Sequence, residues 1–96
     1  MTIVLNRIAI KFDIGRVVAT HGVMERVHED DLFDSFLRHI GGDWGELSEQ
    51  DGRANDLACE IGGRILSRYS DRNQTWFWII TEADRSATTL LLPNEY

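Results

Sequence analysis

Residues 76–96 read WFWIITEADRSATTLLLPNEY. Two apolar runs, rich in aromatic and β-favouring residues, flank a polar knot, Glu82-Ala83-Asp84-Arg85-Ser86. Residues 75–81 and 87–92 read as two strands joined by a short turn, and Pro93 closes the second. Upstream, residues 64–69 show the same period of two. The intervening Ser70-Asp71-Arg72-Asn73-Gln74 is rich in turn formers. Connections this short join antiparallel neighbours, so the C-terminal third is expected to be a three-stranded antiparallel meander.

Working back toward the N-terminus, the period changes. Ser48-Glu49-Gln50-Asp51 has the form of a capping box, followed by Ala54, Leu57, Ala58 and Ile61 at helical spacing and by Gly62-Gly63. Before it, Glu29, Asp30 and Asp31 complement a helix N-terminus, and Arg38 and His39 complement the C-terminus. Between them Leu32, Phe33, Phe36, Leu37 and Ile40 form one stripe, with Phe36 expected in the core, and Gly41-Gly42 stops the helix. Thr20 is placed to cap a short helix carrying Val23, Met24 and Val27. Arg16 to Thr20 is a short β-favouring run. Ile8, Ile10, Phe12 and Ile14 alternate with polar or small residues as a half-buried strand does. The fold class expected is α+β, one domain over residues 1–96. Two to three helices pack on one face of the C-terminal three-stranded meander, with an added N-terminal strand.

Composition narrows the function classes. The 43% hydrophobic fraction predicts an ordered core, and no apolar run approaches the roughly 20 residues of a membrane helix. The opening MTIVLNRIAIKFD has no basic segment followed by an apolar one, so no signal peptide is expected. The lone Cys59 excludes an internal disulfide and suits a reducing cytoplasm. It lies on an apolar stripe and reads as a small core residue. The net charge of −6 is uneven. From Glu25 to Glu60 there are eleven acids against Arg26, Arg38 and Arg53, whereas the rest of the chain has seven basic and five acidic residues. Such a middle repels phosphates, which argues against nucleic acid as partner.

GDWGELSEQDGRAND, GGRILSRY and FWIITEADRSATTLLLPNEY together resemble a family of small bacterial proteins carried on plasmids and other mobile elements. Those proteins are of unassigned activity, labelled loosely as related to restriction-modification though lacking methylase motifs. The likeness runs from about Gly15 to Tyr96 and is strongest from Gly42 onward. It implies a prokaryotic, mobile-element setting, which also hosts inhibitors of host defence such as anti-CRISPR and anti-restriction proteins.

Several residues are candidates for chemistry or contact. Asp43 and Glu46 flank Trp44 as paired carboxylates. Acid/base work would need environments that split their pKa values; the simpler reading has Trp44 filling the core and the acids capping the next helix. In the knot, Asp84 and Arg85 with Glu82 and Ser86 form either a recognition tip or a self-tied hairpin, and no histidine follows His39 to activate Ser86. Trp76 and Trp78 share one sheet face, either as core or as an aromatic hot spot. His21, His28 and His39 lack metal-ligand spacing and read as surface residues, so no metal is expected. No cofactor is expected either, since Gly62-Gly63 ends a helix and a phosphate cradle opens one.

The expected function is a small acidic, non-enzymatic interaction module, an inhibitor of a bacterial defence system. Glu29, Asp30, Asp31, Asp34, Asp43, Glu46, Asp84 and Arg85 would meet a protein with a basic surface, and Trp44, Trp76 and Trp78 would anchor it. The alternative is a small ribonuclease-like enzyme or toxin using Asp43, Glu46 or the Glu82–Ser86 loop. Self-association is also expected, because a three-stranded meander leaves two edges with little protection. A homodimer through an edge or the Trp76/Trp78 face follows, unless the run Ile3 to Ile14 covers one edge.

Overall fold

The computed structural model describes residues 10–96. Along the chain come β1 (Arg16–Ala19), α1 (His21–Arg26), α2 (Glu29–Ile40), α3 (Glu49–Ile61), β2 (Ile65–Ser70), β3 (Trp76–Thr81) and β4 (Ala87–Leu91), then a 3-10 turn at Pro93–Glu95. The fold is α+β, with three helices and one open, mixed four-stranded sheet of order β1-β4-β3-β2 among the described residues. β2, β3 and β4 form the expected antiparallel meander.

Local chemistry sets the helix ends. The Thr20 hydroxyl accepts from Val23 N–H at 3.1 Å, and the Ser48 hydroxyl accepts from Asp51 N–H at 3.1 Å. α2 is capped by an imidazole: His28 Nδ1 accepts from Asp30 N–H at 3.2 Å, ahead of Glu29, Asp30 and Asp31 in the first turn.

Alternation puts Ile65, Ser67, Tyr69, Phe77, Ile79, Thr81, Thr88 and Leu90 on the face that meets the helices. One cluster gathers Val23, Val27, Tyr69, Phe77, Ile79, Leu90 and Leu92, with Leu32 and Phe36 packed against it. A second gathers Phe12, Trp44, Ala58 and Ile65. Phe36 is thus only partly buried. Cys59 is likewise half-buried, at the rim of the second cluster.

The helical stripes are wider than the surface that covers them. Phe33 is 60% exposed and Ile61 73%, and Met24 and Leu57 are also exposed. α3 buries Asn55 and Ala58 because it abuts the edge of β2 and does not lie across the sheet.

The edges differ from expectation. The added N-terminal strand is Arg16–Ala19, parallel to β4 in register from Arg16 opposite Ala87 to Ala19 opposite Leu90. Of the run Ile8 to Ile14, residues 10–14 form a strap that bends at Phe12 and joins no strand ladder, and the earlier part, like most of Ile3 to Ile14, lies outside the described residues. The strap is tied to the helical side: Lys11 N–H donates to Ile40 O at 2.9 Å, and the Thr88 hydroxyl donates to Ile14 O at 2.7 Å. β4 therefore has neighbours on both sides.

β2 is also protected. The Asn55 amide donates to Leu66 O and accepts from Leu66 N–H. Two residues on, Arg68 N–H donates to Trp44 O at 3.2 Å and Arg68 O accepts from Glu46 N–H at 2.7 Å. The premise of two open meander edges is thereby overturned.

Candidate functional site

The knot at residues 82–86 is a self-tied turn. The Asp84 carboxylate accepts from Ser86 N–H at 2.9 Å, and Glu82 N–H donates to Ala87 O at 3.0 Å. Arg85 takes φ 62°, and its guanidinium reaches away from solvent to Gly63 O at 2.6 Å, Ala58 O at 2.8 Å and Glu82 O at 3.1 Å. Ala58 O also accepts from Gly62 N–H at 3.0 Å, and Gly63 lies just beyond the α3 C-terminus. Arg85 thus joins the hairpin to the helix, and its Nη1 and Nη2 donors are engaged inside the fold.

The Gly42–Leu47 segment is structural in the same way. Arg38 grips Asp43 through two bonds, Nε at 2.8 Å and Nη2 at 3.1 Å, holding that carboxyl below its usual range. Asp43 is kept ionised, the opposite of what a general acid needs. Trp44 is buried and gives its indole N–H to Asp56 at 2.9 Å, so it is not presented to a partner. Glu46 is exposed, while its backbone N–H is held by the edge of β2.

His39 corrects the reading of surface histidines. It is fully buried, with Nδ1 2.5 Å from Ser67 Oγ and Nε2 2.9 Å from Thr81 Oγ1, itself 2.7 Å from Thr88 Oγ1. Thr88 donates to Ile14 O. Thr81 must then donate to Thr88, Nε2–H must donate to Thr81, and Nδ1 is left to accept from Ser67. Burial lowers the His39 pKa to about 4, so the ring is neutral and does not complement the α2 dipole. Ser67 beside an imidazole has the composition of a nucleophilic pair, yet both residues are sealed from solvent. Helical spacing could have revealed the position, because His39 follows Leu32 and Ser35 on the buried row of α2. His21 is exposed beside Glu25 at 3.0 Å.

The N-terminal end of the acidic helix meets the β2–β3 turn at one end of the domain. Asp71 accepts from His28 N–H at 2.9 Å. Arg72 donates three bonds to Asp31, lowering its pKa to about 2, and lies 4.0 Å from Asp30. Gln74 and Thr75 line a shallow pocket with Trp76, which is 39% exposed beneath Arg68 at 4.3 Å. Trp78 is half-buried against Tyr96, ring centroids 5.6 Å apart, and Arg64 covers Tyr96 at 4.7 Å. The tryptophans thus lie on the face away from the helices and carry their own covers.

On the other side of α2 lies a groove of about 340 Å³ with almost wholly apolar walls: Val17, Ala19, Leu32, Phe33, Phe36 and Leu90. It runs between α2 and β1, which is the outermost strand of the sheet among the described residues. Sequence reading missed it, because the stripe of α2 was assigned entirely to the core. Glu29 precedes Phe33 by one turn in the same row, and Asp34 follows it. Among the described residues neither Glu29 nor Asp34 has an ion-pair partner.

Among the described residues no helix is long and apolar enough to cross a membrane, and no group of three metal-ligating side chains occurs. No protein-family model, no curated protein and no solved structure matches the chain.

Proposed function

We propose that the chain is a small acidic, non-enzymatic protein–protein interaction module acting in the cytoplasm. In the mobile-element setting implied by the resemblance, its role is to inhibit a bacterial defence system by occupying a basic surface of one component. The observation that carries this reading is the exposed Phe33 over an apolar groove, beside the Glu29 and Asp34 carboxylates, which have no ion-pair partner among the described residues. Apolar anchors set residence time, and complementary charge sets encounter rate and register. The engagement of Asp43 and Arg85 within the fold supports this reading over catalysis by the Gly42–Leu47 segment or the knot.

Glu29, Asp34 and Phe33 are the contact residues of this proposal. Asp30 is partly shared with Arg72, and Asp31 serves the turn. Trp76 lies away from this groove, on the opposite face of the sheet, and is not one of its contacts. The test is capture from a bacterial lysate followed by mass spectrometry, comparing wild type with the Glu29→Lys/Asp34→Lys double variant. A specific protein retained by wild type and released by the double variant or by added salt is expected. Retention that ignores both charges and salt contradicts the reading.

A further inference from the structure

The geometry points to strand addition: β1 accepts an extended segment of the partner as a fifth strand, with that segment's apolar side chains seated in the α2–β1 groove and its Lys or Arg residues meeting Glu29 and Asp34. This rests on the interaction-module reading and names how the partner is held. Arg16 N–H donates to Ser86 O at 3.0 Å and Thr20 N–H to Leu90 O at 3.0 Å. In a parallel ladder the bonding residues on one strand alternate. Arg16, Val18 and Thr20 therefore face β4, and the backbone N–H and C=O of Val17 and Ala19 point to the outer edge. Among the described residues nothing bonds them. β2 at the other end of the sheet has its edge groups at Leu66 and Arg68 satisfied within the fold. β1 has no Pro and no bulge to discourage pairing, and its one charged residue is Arg16 at the start of the strand.

The groove supplies what a bare edge lacks. Val17 and Ala19 share its wall with Leu90, and Leu32, Phe33 and Phe36 form the other. A strand laid on β1 sends every second side chain toward that space. Two alternate apolar residues fill it, as in peptide recognition by strand addition elsewhere, where backbone bonds supply affinity and pockets supply specificity. Charge selects the occupant. A second copy on the same edge would bring the Glu29 and Asp34 carboxylates of two chains, each of net charge −6, toward one seam. A basic extended segment meets them favourably.

The test uses the full chain and an end-capped heptapeptide, Lys-Thr-Val-Thr-Val-Thr-Lys, with its Val and Lys residues on one side. Ala19→Pro removes one outward N–H without touching the β4 ladder, and proline is tolerated on edge strands. Phe33→Lys alters the groove at an exposed position. Isotope-edited titration is expected to show binding, with slowed amide exchange at Val17 and Ala19. At least tenfold weaker binding is expected for either variant, and for the peptide with Glu in place of both Lys. Binding that Ala19→Pro leaves unchanged overturns strand addition, as does no binding at millimolar peptide. If lysate capture still responds to Glu29→Lys/Asp34→Lys in that event, the module reading stands without it. Concentration-dependent dimerisation with protection at Val17 and Ala19 assigns the edge to a second copy and overturns the proposal.

Discussion

Asn55 holds both backbone groups of Leu66, donating to its carbonyl at 2.8 Å and accepting from its N–H at 3.3 Å. One helix side chain thereby acts as a short surrogate strand against β2. Asn55→Leu strands a partly buried donor and acceptor, which costs about 1–3 kcal/mol for each group left unpaired. Urea denaturation should show this loss, and the variant should aggregate at lower concentration because a strand edge is opened. Unchanged stability would mean that the edge is not closed by Asn55.

Gly45 sits at φ 75°, with the position of a Cβ only 2.1 Å from Arg68 O. Gly45→Ala must break the bridge between Trp44–Glu46 and Arg68, since backbone cannot yield as a flexible side chain can. The expected cost is upward of about 3 kcal/mol, enough to unfold a marginal domain. Gly62 is the control: φ is 90°, yet nothing lies within 4 Å of its added Cβ. Gly62→Ala, with ψ at 162°, should cost only the backbone strain, about 1–3 kcal/mol. Equal melting temperatures for the two variants would contradict the bridge.

Neutral His39 makes stability depend on pH. The unfolded chain protonates this residue near 6.5, whereas the folded chain resists until about 4. Between those values the unfolded state binds more protons, so stability rises with pH and is lost on acidification through this window. The full effect is about 3 kcal/mol. The lowered carboxyl of Asp31 acts separately, its contribution being lost as pH falls below 3.8 toward 2. His39→Leu should be less stable at pH 7, because Ser67 and Thr81 lose a partner, and its stability should be flatter from pH 6.5 to 4. A wild-type profile equally flat there would refute the buried neutral ring.

Arg85→Lys should destabilise by about 1.5–3 kcal/mol, since one ammonium cannot reproduce the forked contacts to Ala58 O and Gly63 O. Thermal melts should show it. Asp84→Ala, which removes only a local turn bond, should cost less.

How much of this was legible follows from range. The meander was readable because period-two runs such as Thr75–Thr81 adjoin their own turns, and helix ends were readable because Thr20 and Ser48 bond residues three positions on. Long-range pairings left no periodic trace. Nothing in Arg16–Ala19 says that its partner lies at Ala87–Leu90, a pairing across most of the chain. Arg85 looks like a surface charge until Ala58 and Gly63 arrive beside it. The knot and Trp44 fit their plainer readings, whereas His39 was misjudged by residue type when its helical row already placed it inward. Phe33 erred in the other direction: an apolar stripe shows what a helix would bury, not how much the sheet covers.

The open edge of β1 is the central claim, and backbone amide hydrogen exchange of the free protein tests it most directly. Val18 and Thr20, bonded toward β4, should exchange slowly, while Val17 and Ala19 exchange near the rate of unprotected amides. Slow exchange at all four positions in the free monomer would show the edge already filled, contradicting the account.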